Sequence, residues 1–162
     1  MELKISVDIK NLEALIKRYP EASLRARRRY ISEAVLLLQR EIMLLTPEGA
    51  GPIHLRDTIF SAISFGEPVR GIDGTPAIYG ESIEHGTKPH FPPVKPILFW
   101  VEKRLGLSGK EALSVAFAIV RKIGKKGTYG TYMFKYGMER NRAKVIRMLK
   151  QIPADIIRAV SA

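Results

Sequence analysis

The sequence predicts an α+β fold, on three observations. Residues 20–46 are patterned for one long helix, residues 58–66 alternate β-forming residues, and most of the second half repeats with helical period. Runs of helix around a short sheet belong to that class. The expected architecture is a small antiparallel sheet packed with a long N-terminal helix and several C-terminal helices, all in a single domain over residues 1–162. That length suffices for a core, and 46% apolar with 27% charged residues excludes wholesale disorder.

The elements follow in order. In "ELKISVD" the apolar residues Leu3, Ile5 and Val7 alternate with polar ones, as in a half-buried strand. "NLEALIKRY" reads as a short amphipathic helix stopped by Pro20. Proline suits the first turn of the long helix that follows. In that helix Ile31, Ala34 or Val35, Leu38, Ile42 and Leu45 recur at helical spacing. Leu36, Leu37, Met43 and Leu44 widen this stripe almost around the cylinder. Such a helix is central in a core or covered on a second side by another subunit, and core burial is the simpler reading. "TPEGAGP" breaks it. "TIFSAISFG" is expected to be a strand buried on both faces, with the turn at Asp73-Gly74. "AIYGESIEHGT" reads as a second strand or a strand-to-helix element. "ILFWVEKRLG" is a helix ending at Gly106, and Ser108 caps the next one, in which Ala112, Val115 or Ala116, Ile119 and Ile123 share a face. "GTYGT" should loop out. A last helix from about Tyr132 carries Val145, Leu149, Ile152, Ile156 and Val160, kinked or split by Pro153.

The net charge of +11 is unevenly spread. Residues 1–84 hold 11 Lys/Arg against 12 Asp/Glu, and residues 85–162 hold 16 against 4. A basic half of that size suggests an anionic partner, although charge runs often only solvate a surface. With no cysteine there is no disulfide or thiolate chemistry, and an intracellular protein fits. No apolar run nears the roughly eighteen residues of a membrane helix, and the N-terminus lacks a signal-peptide pattern.

Chemical signatures are scarce. His85 and His90 lack a third ligand at useful spacing, Pro89 interrupts helical geometry between them, and His54 is remote in sequence, so no metal is expected. No nucleophile elbow is present. In "GLSGKEA" two residues, not four, separate Gly106 from Gly109, and Glu111 follows Lys110, which excludes a phosphate loop. "GKKGTYGT" has no strand before it. The chain is expected to be no enzyme and to hold no cofactor.

The stretch "IEHGTKPHFPPVKP" (83–96) then stands out for stiffness. Gly86 opens backbone angles closed to other residues, and Pro89, Pro92, Pro93 and Pro96 hold an extended path, which favours recognition at low entropic cost. An ordered set of phrases accompanies it: a long helix ending in "LLTP" (44–47), "LRDTI" (55–59), "AIYGESIEHGT" (77–87), "KPHFPPVKPILFWVEKRLG" (88–106) and "AFAIVRKIGKKGTYGTYMF" (116–134). In this order they resemble the neck or tail-completion proteins of long-tailed bacteriophages and proviruses, over roughly residues 20–150. The chain departs from that pattern in having Ile53-His54 where Thr-Gly commonly precedes Leu-Arg, and Met133-Phe134 in place of Pro-Phe.

The resemblance implies a structural virion protein of the head–tail junction, present in host cytoplasm during assembly. It implies a homo-oligomeric ring, hexameric or twelvefold, with other neck, connector or tail proteins as partners and at most weak, unspecific DNA contact. Partner-contact candidates are His85, Gly86, Thr87, Lys88, Pro89, His90, Phe91, Pro92 and Pro93 in the loop, and Lys122, Lys125, Lys126, Tyr129 and Tyr132 in the basic segment. Residues 124–131 are expected to be mobile until docked. Tyr79 and Trp100 are expected to pack in the core, and His85 and His90 to serve loop packing or hydrogen bonding. The alternative is a small cytosolic nucleic-acid-binding protein using Arg121, Lys122, Lys125 and Lys126, with Tyr129 and Tyr132 stacking. A weaker third reading is a hydrolase built on Glu81 and Glu84.

Overall fold

A short helix, α1 (Leu12–Arg18), leads at once into the long α2 (Pro20–Leu45). Asn11 caps the first in the left-handed region, which asparagine tolerates, and Tyr19 leaves helical geometry because Pro20 follows. Pro20 then opens α2, where its missing N–H costs nothing. The computed structural model describes residues 4–5, 8–50, 54–64, 66 and 68–161. The strand expected over "ELKISVD" falls mostly outside the described residues. After a 3-10 turn (Leu55–Thr58) come β1 (Phe60–Ser64), β2 (Arg70–Gly74), α3 (Gly80–His85), β3 (Gly86–Thr87), α4 (Val94–Leu105), α5 (Gly109–Lys126), β4 (Thr128–Tyr129), α6 (Met133–Leu149) and α7 (Ile152–Ser161). The fold is α+β and mostly helical, with antiparallel two-stranded pairings β1–β2 and β3–β4.

Two compact units divide the chain, each assembled from separate segments. The first comprises Met1–Leu44, Phe60–Gly74 and Phe134–Ala162. Its core joins Ala22, Ala26 and Tyr30 of α2 to Ile152 and Ile156 of α7, with Ile9, Leu12, Leu15, Tyr19, Met148 and Leu149 around them. Burying the two isoleucines contributes about 1.5–3 kcal/mol each. Pro153 falls in the first turn of α7, so the expected split of the last helix occurs at Lys150-Gln151. The β1–β2 pair packs on α2, since a side chain at Gly71 would collide with Val35.

Three expectations are corrected here. The strand β1 is covered on one face only: Ser61 and Ile63 are half-buried, while Phe60, Ala62 and Ser64 face outward. Asp73-Gly74 is not the turn but the end of β2, with Asp73 opposite Ser61 and Gly74 opposite Phe60. The long helix buries a single stripe, and Leu36 and Leu44 remain 57% and 60% exposed.

The second unit comprises Leu45–Ile59 and Thr75–Met133. A three-residue link joins α4 to α5, and their shared core is Val101, Ala112 and Ala116, ringed by Val94, Ile97, Leu98, Leu107, Val115 and Ile119. Alanines facing Val101 let the helices approach closely. As expected, α4 ends at Gly106 in the left-handed region, with φ 66°. Ser108 occupies the cap position of α5, but its side chain makes no capping bond. "AIYGESIEHGT" resolves as a helix running into a strand, the reverse of the expected order.

Candidate interaction surface

The two stretches singled out in sequence, 83–93 and 122–132, are brought together inside the second unit. Strands β3 and β4 pair antiparallel with Gly86 opposite Tyr129 and Thr87 opposite Thr128. The two threonine hydroxyls are 3.0 Å apart, and the Thr87 N–H donates to Thr128 Oγ1 at 3.0 Å. Beyond the strands, Thr131 donates from its N–H (2.8 Å) and its hydroxyl (3.0 Å) to the Ile83 carbonyl. The Tyr132 N–H donates to the Glu84 carbonyl at 3.0 Å. Glycine makes the approach possible. Gly86 (φ 78°) and Gly127 (φ 71°) take angles that side-chain-bearing residues avoid, and a Cβ on either would overlap a backbone oxygen, of Thr128 and Thr87 respectively.

The proline-rich loop folds back onto the end of α5. The His90 N–H reaches the Ile123 carbonyl at 3.4 Å, and the Phe91 ring fills the space a side chain at Gly124 would take. A carbonyl only accepts, so His90 Nδ1 carries a proton toward the Lys88 carbonyl at 3.0 Å, with Thr87 Oγ1 at 3.3 Å. The His85 ring meets Tyr132 edge-on, at 6.3 Å between centroids. His85 thus makes a ring contact and His90 hydrogen bonds within this unit. Residues 124–131 are not the free loop expected: backbone bonds and glycine contacts on both sides tie them to 83–91.

Around this locked pair the surface is basic and aromatic. Lys88, Lys122, Lys125 and Lys126 are exposed, as are His85, Pro89, His90 and Pro93, while Pro92, Thr87, Gly86 and Tyr132 are half-buried. Phe91 is 73% and Tyr129 87% exposed. No carboxylate occurs between Glu111 and Glu139. Tyr79 and Trp100, expected in the core, are both more than a third exposed. Tyr79 sits at the start of α3, and Trp100 lies on α4 away from its buried Val101 row.

Glu84 is buried whereas Glu81 is exposed, an arrangement unlike two carboxylates sharing a cleft. Among the described residues no group of three or more His, Asp or Glu side chains could hold a metal ion. No described helix is long and apolar enough to cross a membrane.

A second polar feature of this unit escaped the sequence reading. A cavity of about 390 Å³ is lined by Glu48, Gly49, Ala50, His54, Arg56, Asp57, Lys103 and Arg104. Arg104 donates to Glu48 Oε2 at 2.9 Å and to the Gly49 carbonyl at 2.8 Å, and Arg56 lies 3.9 Å from the same carboxylate. The Arg104 hydrogen bond, then the charges of Arg104 and Arg56, hold Glu48 below the usual carboxylate range. Its partners lie 8 and 56 positions away, so no local pattern announces the cluster.

Comparison with protein-family models, with curated proteins and with solved structures gives no match for this chain.

Proposed function

We propose that this protein is a structural component of a phage-type head–tail junction, acting by docking and not by catalysis. The observation that supports the reading is the locked pair of segments. Two stretches some forty residues apart are clamped by main-chain bonds into one fixed shape, which holds exposed aromatic and cationic side chains outward. A surface ordered in advance loses little entropy on docking. The exposed Leu36 and Leu44 of α2 offer a second contact region, suited to a ring of identical subunits. The ordered phrases set out above supply the family resemblance.

Deleting the gene from its source genome tests the role directly. Electron microscopy should then show complete heads and separate tails, restored to joined particles when the gene is supplied in trans. Joined, infectious particles at normal yield from the deletion would overturn it.

Nucleic-acid binding is the second reading, favoured by an exposed Tyr129 that follows the exposed Lys125 and Lys126 closely in sequence. Its other proposed stacking residue, Tyr132, is half-buried and engaged with His85. Contact resting mostly on phosphates would weaken steeply with salt, which a filter-binding titration would read.

A further inference from the structure

Three rows run side by side along α5. Ala112, Ala116 and Val120 form the buried row. At 100° per residue, positions 113, 117 and 124 fall within about 40° of one another on the next strip of surface. Leu113 and Phe117 are 40% and 45% exposed there. Position 124 is glycine, and the ring of Phe91 occupies the place its side chain would take. The proline-rich loop thus completes an exposed apolar stripe on a helix to which it does not belong. With a rise of about 1.5 Å per residue the stripe is about 16 Å long, roughly three turns. Lys110, Arg121 and Lys125 follow on the adjoining strip, between about 60° and 120° from Leu113, and all three are exposed.

We infer that this stripe is a docking site for an acidic amphipathic helix of a partner protein. An apolar row flanked along its length by cations is complementary to a helix whose apolar residues recur at i, i+4, i+7 and i+11 with glutamate or aspartate beside them. A second copy of this chain fits less well: Ile157 and Val160 in α7 flank Arg158, and Leu36 and Leu44 in α2 have the exposed Arg40 between them, with the nearby Glu33 already paired to Arg29. Nucleic acid fits less well too, since Leu113 offers no stacking face. The inference rests on the joining role only in taking the partner to be another protein of the assembly.

The test uses the full chain and three fluorescent probes. One is a fifteen-residue helical peptide with leucine at i, i+4, i+7 and i+11 and glutamate on the flanks. The second is the same composition scrambled, and the third is a fifteen-nucleotide oligo-dT. Anisotropy should show the patterned peptide binding at least about tenfold more tightly than the scrambled one. Phe91→Ser with Phe117→Ser should weaken it by about tenfold or more, and so should Arg121→Glu with Lys125→Glu. All substituted side chains are exposed, and circular dichroism verifies that each variant is folded. Equal binding of patterned and scrambled peptides, unchanged binding by the phenylalanine variant, or binding of oligo-dT alone would overturn the assignment. These outcomes are independent of the gene-deletion experiment, so the docking site and the joining role can fail separately.

Discussion

Gly127→Ala should be one of the most damaging single-methyl changes in the second unit, and its cost can be worked from the backbone. Gly127 has φ 71° and ψ −160°, a region essentially restricted to glycine, where a side chain costs about 1–3 kcal/mol. Its added Cβ would also overlap the Thr87 carbonyl oxygen, which belongs to β3 and cannot swing aside as a side-chain tip would. Displacing backbone in this way costs about a further 1–3 kcal/mol, for a total of about 2–6 kcal/mol. A domain of this size is stabilised by only about 5–15 kcal/mol. Gly106 supplies the control. It too is left-handed, with φ 66° and ψ 15°, but nothing lies within 4 Å of its Cβ position, so Gly106→Ala should cost only about 1–2 kcal/mol. With a urea m-value of about 2 kcal/mol/M, the midpoint should fall by about 1–3 M for Gly127→Ala and by about 0.5–1 M for the control. Trp100, the single tryptophan, lies on α4 in the same unit and reports the transition by fluorescence. Equal midpoints for the two variants, at unchanged m, would refute the claim that β3 and the end of α5 are locked together.

Three other outcomes are expected. Lys122→Glu, Lys125→Glu and Lys126→Glu together should leave the helical circular dichroism intact, because all three side chains are exposed, yet reduce the yield of joined particles; normal yield would reduce the charge to a solvated surface. Leu36→Glu with Leu44→Glu should change stability by no more than about 0.5 kcal/mol per site but lower the scattering mass of the assembled protein, whereas an unchanged mass would clear α2 of any part in self-association. Asp73 has its proton affinity raised by burial, against the opposing hydrogen bond from Ser61 at 2.6 Å. The folded state therefore holds the Asp73 proton more tightly than the unfolded chain. Stability falls as pH rises from the ordinary carboxylate range through the raised folded value, and stays lower at neutrality. Asp73→Asn should accordingly melt higher than the parent at pH 7, with the gain vanishing below about pH 3; a lower melting temperature at pH 7 would contradict the burial argument.

The helices were legible because their signals are local. Pro20 and Gly106 mark ends that need no distant partner, and Pro153 marks a restart for the same reason. The pairing of β3 with β4 had no such signal. Each strand is two residues long, too short for any periodicity, and the partners are 41 and 43 positions apart. Asp73-Gly74 misled for the converse reason. Its dipeptide favours a tight turn, but the Phe60 ring lies over Gly74 and Ser61 holds Asp73, so cross-strand contacts keep the pair extended. Tyr79 and Trp100 show that residue type alone does not decide burial: each sits where its element turns away from the core.

Gly124 concentrates the problem. It lies inside α5, which continues through Lys126. An interior glycine costs about 1 kcal/mol relative to alanine. A fully buried phenylalanine would contribute about 1.5–3 kcal/mol, but Phe91 is 73% exposed, so its contact returns only about 0.5 kcal/mol. Stability therefore does not account for the arrangement, since a plain alanine at 124 with the loop ring elsewhere would be at least as favourable. What the arrangement achieves is placement. The ring of a proline-stiffened loop is set on the same line as Leu113 and Phe117, with one edge against Gly124 and most of its surface open. A helix side chain at position 124 would bring its own rotamers to that spot, whereas Phe91 arrives on a main chain already held by the Ile123 carbonyl and the Thr128 hydroxyl. Small energetic loss at a site of fixed geometry is the pattern expected where a surface is shaped for a partner and not for the stability of its own fold.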